Sequence, residues 1–447
     1  MKGFTLGLVD ENTLDSGLTA YLNKLRMFTR NAKMVLLYSG LTGLAFGVFR
    51  LLFNFYVLSL GGYDEQFLGL LTSISSAASL AVALPAAYIA ERYSHKRIMV
   101  VTVWLSVVAF AGLIVFPARG LLIAFNVLQG IAMSIRQVTA APFLMNNSSP
   151  EERQYVFSYQ FGLNTAAGFA GNLVGGMLPT WFGALAGVAA TSTPAYRMAL
   201  GSMILVSMLA IGPLMFIRGQ QRERSQDVEM PWTLLWRHRV VLGKLILPNW
   251  LIGLGAGMMM PFMNLYYRNV FGQSDAVIGY LFASGLLGMA IAQFIAPPLA
   301  DRLGKINLVV LTQGLSVPFL ITLGLAAWAV PRGGSLLLWF GIAWAAYLFR
   351  LALMNLSGPV YQTFVLEHVP DHVQALAASL NGIAFQFGWV LSPQLSGWFQ
   401  TNYGFVPVFA TTAVLYIIGI SITWAFFHDA ERREMGIVRQ QAASSAK

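Results

Sequence analysis

Cysteine is missing from all 447 positions. Its absence excludes disulfide frameworks, thiolate metal sites and cysteine nucleophiles. Charge is nearly as scarce: Asp, Glu, Lys and Arg make up 10% of the chain, against about 25% in a soluble domain. Such a composition cannot clothe a water-facing surface. The five histidines (His95, His238, His368, His372 and His428) fall at the joints or ends of apolar runs, away from any nucleophile. No Gly-Lys-Ser/Thr phosphate loop occurs, so ATP is not the drive. These features describe a protein that is not an enzyme and uses no cofactor. Met258, Met259 and Met260 beside Pro261 have no His or Cys near them and read as adaptable packing at a kink, not as a metal site.

What the chain does have is hydrophobicity: 57% of residues are apolar. Twelve runs are long enough to cross a hydrocarbon core of about 30 Å at about 1.5 Å per residue. They lie near 34–60, 67–90, 98–116, 121–145, 155–182, 197–217, 240–267, 276–299, 306–330, 335–358, 374–400 and 405–427. Short polar joints separate them, among them "GGYDEQ", "ERYSHKR" and "RLGK". In lipid a crossing segment must satisfy its own backbone, so the runs are predicted to be helices. With both termini on one side, that side holds twenty of the 28 Lys and Arg and the opposite loops hold four. This bias predicts a multi-pass protein of the cell (inner) membrane with both termini cytoplasmic. It also accounts for the net charge of +10, so nucleic acid is not an expected partner. Residues 1–32 form a cytoplasmic tail without a cleavable signal, in which Leu14, Leu18, Tyr21, Leu22, Leu25 and Phe28 recur at helical spacing.

The second half repeats the first. "NFYVLSLGGYDEQFLGLL" from Asn54 aligns without a gap on "NLYYRNVFGQSDAVIGYL" from Asn264, an offset of 210 residues. Asn54 meets Asn264, Tyr56 meets Tyr266, Gly62 meets Gly272, Gly69 meets Gly279 and Leu71 meets Leu281. The offset becomes 214 beyond the third run, pairing Arg136 with Arg350, and 217 in the fifth, pairing Asn164 with Asn381 and Gly171 with Gly388. Six crossings per half give both copies the same orientation. The expected fold is therefore an all-α integral membrane protein of twelve transmembrane helices in two pseudo-symmetric six-helix bundles. The bundles occupy 33–217 and 240–428, with a cytoplasmic linker at 218–239 and a cytoplasmic tail at 429–447.

The joints after the second and eighth runs carry the most specific residues. "AYIAERYSHKR" presents Glu91, Arg92, Lys96 and Arg97, and "PPLADRLGK" presents Asp301 and Arg302. With "NVLQGIA" (126–132) and "GNLVGG" (171–176), they make the chain resemble the major facilitator superfamily of secondary transporters, from residue 33 to 428. Asn126 and Asn172 depart from the motifs of proton-coupled drug antiporters, which leaves that coupling uninherited. The resemblance implies two bundles rocking about a midplane site, with Glu91, Arg92, Lys96, Arg97, Asp301 and Arg302 as inner-face gating residues.

Three arginines interrupt apolar runs. Arg50, Arg136 and Arg350 lie eleven, ten and nine residues before Gly61, Asn146 and Pro359, about 14–17 Å from a boundary. An arginine at that depth costs at least ~2.5 kcal/mol on insertion scales, and no Asp, Glu or His lies inside any run to offset it. The resemblance places the runs that hold them around the cavity. Asn54 follows Arg50 by four residues, Gln129 precedes Arg136 by seven, and Met260 with Asn264 stands at the repeat positions of Arg50 and Asn54. These seven residues form the expected substrate site, for a small or amphipathic, lipid-like organic anion handled by a monomer. Efflux of lipophilic compounds is the alternative, with the arginines as struts and Asn54 and Asn264 as interhelical ties. A non-transporting sensor or scaffold finds little in so short a linker and tails.

Overall fold

A computed structural model describes residues 28–149, 153–217 and 231–445. Its helices follow the apolar runs. The first bundle contains α1 (Arg30–Ser59), α2 (Glu65–Arg92), α3 (His95–Val115), α4 (Arg119–Asn146), α5 (Arg153–Ala186), α6 (Thr193–Leu209) and the short α7 (Ile211–Met215) that continues α6. The second contains α8 (Pro231–Met259), α9 (Met263–Phe271), α10 (Asp275–Leu303), α11 (Lys305–Ala329), α12 (Leu336–Glu367), α13 (Asp371–Tyr403) and α14 (Val406–Ser445). Counting α6 with α7 and α8 with α9 as single crossings gives twelve. Residues 231–239, read from sequence as linker, are already helical, and the helix backbone of α14 continues to Ser445. Most of the N-terminal tail, including its apolar pattern, lies outside the described residues.

Among the described residues ten crossings are long and apolar enough to span a bilayer on composition alone. The other two are α5 and α13, a repeat pair rich in Gly, Asn and Gln. Their position explains their polarity. Each is wedged between helices of both bundles: α5 packs on α1 of its own bundle and on α10 of the other, and α13 packs on α8 and on α2. They therefore face protein more than lipid. Close packing on α1 and α8 depends on glycine. A Cβ at Gly171 would stand 2.5 Å from the Leu44 carbonyl oxygen, and one at its repeat partner Gly388 would stand 2.4 Å from the backbone of Gly253 and Leu254.

The residues preserved in the repeat have matched structural duties. Asp64 and Ser274 cap the starts of α2 and α10, accepting from the backbone N–H of Phe67 at 2.8 Å and of Val277 at 3.4 Å. Gly62 and Gly272 take left-handed backbone at φ 92° and 65°, which lets the chain reverse into those caps. The Tyr56 hydroxyl donates to the Ile114 carbonyl at 2.8 Å and the Tyr266 hydroxyl to the Leu323 carbonyl at 2.9 Å, tying the first crossing of each bundle to its third. Leu71 and Leu281 are both fully buried. Met258 and Met259 are also buried, in the core beside the helix break at Met260–Phe262.

Pro359 does not end its helix. α12 runs eight residues further, to Glu367, because packing on the neighbouring helices sustains it across the missing N–H. Arg350 therefore stands seventeen residues from the end of its helix, not nine from a boundary, and remains near the middle of the crossing.

Candidate functional site

The two bundles touch on one face and part on the other. The terminal face carries the start of α1 and the end of α12; the far face carries the turns at Gly62, Gly187, Gly272, Gly333 and Gly404. Contacts between bundles gather in the far half. A Cβ at Gly69 of α2 would lie 2.3 Å from the Pro393 carbonyl oxygen of α13, and one at Gly279 of α10 would lie 2.5 Å from the Asn172 carbonyl oxygen of α5. Gly69 and Gly279 are a repeat pair, so one duplicated glycine makes both inter-bundle crossings.

Asn54 and Asn264 seal the middle of this face. The Asn54 amide donates to the Pro261 carbonyl at 2.7 Å and to Asn264 Oδ1 at 3.0 Å; the Asn264 amide donates to the Leu51 carbonyl at 2.9 Å. Leu51 and Pro261 are themselves repeat partners, so the clasp is two-fold symmetric. The break in the helix before α9 leaves the Pro261 carbonyl free to accept. In this conformation the two asparagines serve each other rather than a ligand.

A second contact closes the rim. Arg268 pairs with Asp275 of its own bundle, donates to the Tyr196 hydroxyl of the other at 2.9 Å and lies 3.4 Å above the Phe55 ring. The Tyr196 hydroxyl donates to Asp275 Oδ2 at 2.9 Å. Asp275 is only 6% exposed, and its charge is compensated in place by Arg268. Sequence reading missed this cluster by treating Arg268 as loop charge and starting the crossing at residue 276. The repeat held the signal, because Asp275 is the counterpart of Glu65. Glu65 likewise accepts across the bundles, from the Asn269 amide at 3.2 Å.

Beneath the seal lie the arginines. Arg50 and Asn54, four residues apart, share a face of α1. Arg50 is thus one turn below the clasp; its side chain is exposed and within electrostatic reach of Tyr347 on α12. Arg136 of α4 is half-buried and lines a cavity of about 230 Å³ with Tyr38, Ser39, Gln160 and Asn164. Its guanidinium lies 5.8 Å from the Phe46 ring and has no hydrogen bond or ion pair among the described residues. Gln129 is buried in a small space that Arg136 also lines, together with Thr102, Ser106 and Ser207. It faces the interior of its own bundle, away from the cleft between bundles.

Arg350 lines the matching cavity of the second bundle, about 390 Å³, with Asn249, Met260, Asn381, Trp389 and Tyr416. It is 2% exposed. One terminal nitrogen donates to the Tyr416 hydroxyl at 2.9 Å, the other contacts the Met260 sulfur at 3.5 Å, and Nε has no partner among the described residues. The repeat partners Asn164 and Asn381 line the two cavities in equivalent places. Arg350 and Met260 are thereby in contact and Gln129 shares a space with Arg136, while Asn54 and Asn264 are engaged with each other.

On the terminal face the contacts described for the motif residues lie within bundles. The Lys96 ammonium donates to the Met215 and Ile217 carbonyls at 3.0 and 2.7 Å, closing the C-terminal end of α7. Arg92 lies 4.6 Å from the Tyr88 ring, Arg97 and Arg302 are exposed, and Lys305 pairs with Glu367. The side chains of Glu91 and Asp301 lie outside the described part, although both residues belong to helices. The gating expected of these residues would operate in a conformation closed on this face.

Residues 35–393 match the family model of the Major Facilitator Superfamily. The chain belongs to the major facilitator superfamily. Among curated superfamily members it is 27% identical over 191 residues to multidrug resistance protein MdtG of Proteus mirabilis, covering 41% of this chain and 44% of that one. It is 27% identical over 162 residues to a gallate transporter of Pseudomonas putida, covering 36% of this chain and 33% of that one. The chain thus spans about half or less of these relatives' length. Solved structures share the fold. A variant of nucleoside transporter NupG superposes with a TM-score of 0.72 at 12% identity, covering 89% of this chain and 100% of the other. A bacterial homologue of the human lysosomal transporter Spinster, inward-facing and unoccupied, gives 0.68 at 15% identity, covering 88% and 96%.

Proposed function

We propose that the protein is a secondary transporter that works by alternating access and carries small or amphipathic organic anions. The observation that carries this reading is the state of Arg136 and Arg350. Both line cavities at the middle of the crossings, both have guanidinium nitrogens without partners among the described residues, and no described carboxylate pairs with either. A charge held in low dielectric at that cost is retained where it meets a counter-charge, and the planar guanidinium suits carboxylate or phosphate. Arg50 adds a third positive charge at the closed end. With the termini cytoplasmic, as the Lys and Arg bias favours, the conformation is open to the cytoplasm and sealed by the asparagine clasp and the Arg268 cluster. Opening the far face would break both and bring the terminal-face motifs together. Uniport or anion exchange fits better than proton symport, because the interior acid, Asp275, is already paired with Arg268.

Efflux of lipophilic compounds is the second reading. It draws on the relatives named for multidrug resistance and on the Met and aromatic walls of both cavities, among them Phe46, Met99, Met133, Phe385 and Trp389. Uptake by the purified full chain in liposomes separates the two. Organic anions should compete with one another for transport, and Arg136→Gln and Arg350→Gln should each weaken that competition. Transport of lipophilic cations that both variants leave intact would favour efflux instead.

A further inference from the structure

α5 and α10 touch along a ladder that stops partway. From the far face inward, Gly176 meets the Asp275 backbone, Gly279 meets Asn172, and Gly168 meets Leu286, where an added Cβ would lie 3.6 Å from the leucine side chain. Below that rung the helices diverge and leave a wedge of about 890 Å³. Its walls are Phe157, Phe161 and Phe169 on one side and Leu286, Leu287 and Ala290 on the other. Thr165 also lines it, but its hydroxyl donates to the Phe161 carbonyl of its own helix at 3.0 Å, leaving Gln293 as the polar group facing the space. Phe161 and Leu287 are 56% and 55% exposed.

The depth of the wedge says what covers it. Phe157 to Phe169 lie four to sixteen residues from the start of α5, roughly 6–24 Å along a helix whose 34 residues overhang a core about 30 Å thick at both ends, so most of the wedge lies in the terminal-face leaflet. Only hydrocarbon is available there to cover apolar walls. The gap is also part of the seam between the two bundles, and α5, which forms one of its walls, lines the Arg136 cavity with Gln160 and Asn164.

We propose that this wedge is a lateral port that holds the hydrocarbon part of an amphipathic anion drawn from the terminal-face leaflet, while its charged end meets the arginines. The proposal rests on the anion reading above and narrows it to substrates with an alkyl tail. Two phosphate monoesters test it, dodecyl phosphate and phenyl phosphate, with the full chain in liposomes. Filling the wedge by Ala166→Trp or Ala290→Trp should lower dodecyl phosphate uptake relative to phenyl phosphate by roughly tenfold, the loss expected when about two methylenes lose their burial. An unchanged ratio overturns the port. Arg136→Gln tests the underlying reading separately, because it should lower uptake of both esters alike; if it lowers neither, the anion reading fails whatever the wedge variants do. Thr165→Cys supplies a measurement that needs no bulky variant, since the parent contains no cysteine. A bimane label there should be quenched by lipids with a nitroxide on the acyl chain, and dodecyl phosphate, but not phenyl phosphate, should relieve the quenching. A label shielded from the nitroxide lipids would overturn the port.

Discussion

Removing the Asn54 amide tests the far-face seal directly. In the closed state Asn54→Ala deletes two donated hydrogen bonds, to the Pro261 carbonyl and to Asn264 Oδ1. Asn264 keeps its bond to the Leu51 carbonyl, and its Oδ1 still accepts from the Leu265 N–H at 2.9 Å, so the Pro261 carbonyl is left without its partner. In a far-open state Asn54 would face water, and its truncation would cost little. The difference is the net worth of two hydrogen bonds, about 1–3 kcal/mol, or roughly a 5- to 150-fold rise in the far-open population. Ser73 reports on it. Its side chain is 7% exposed and accepts from the Gln394 N–H across the bundles at 3.1 Å. With no native cysteine to compete, Ser73→Cys can be labelled by a membrane-impermeant thiol reagent only when the far face opens. Labelling in the Asn54→Ala background should accelerate by that factor. A rate equal to that of Ser73→Cys alone would refute the assignment of the asparagine pair as a clasp.

Other expectations follow from the same contacts. Tyr196→Phe removes a hydroxyl that bridges Arg268 and Asp275 and should speed the same labelling by about tenfold, the worth of a hydrogen bond to a charged group. Asp275→Asn leaves the half-buried Arg268 without its counter-charge and should lower stability by about 1–3 kcal/mol, read as loss of folded protein on heating in detergent; an unchanged melting curve would mean the pair is solvated. Gly69→Ala places a methyl 2.3 Å from the Pro393 carbonyl oxygen and should force the bundles apart at the far face, again visible as faster labelling. Arg136→Gln and Arg350→Gln should each cost about ten- to a hundredfold in apparent anion affinity, with Lys a partial rescue. Wild-type affinity in both, measured by concentration-dependent uptake, would remove the arginines from the site.

Much of this architecture is legible in the chain itself. A bilayer leaves helices as the form an apolar run can take, so run lengths and joint charges gave most crossings within a few residues, and an offset of 210 residues announced two like bundles. Even the residues that would pair across the seam were marked, because Asn54, Gly69 and their partners survived duplication. The pattern could not state what each was preserved for. Asn54 shares a helical face with Arg50, so spacing alone allowed a ligand role as readily as a clasp. Gln129 lies seven residues from Arg136, and spacing could not say that the space they share lies inside their own bundle.

Tertiary structure settled those cases, since a helix face becomes cavity, seam or core only when a second helix is set against it. It exposed Asp275 as a buried acid, for a helix start in the sequence carries no record of the tyrosine that covers it from the other bundle. It carried α12 past Pro359 because packing, not local propensity, sustains a helix across a missing donor. The sequence determined which segments cross the membrane and that the chain is built twice. Which of the duplicated residues seal the far face, and which are left facing the cavity, was decided by how the two copies lean on one another: along Gly69 and Gly279 backbones can meet, and below Gly168 larger side chains keep them apart.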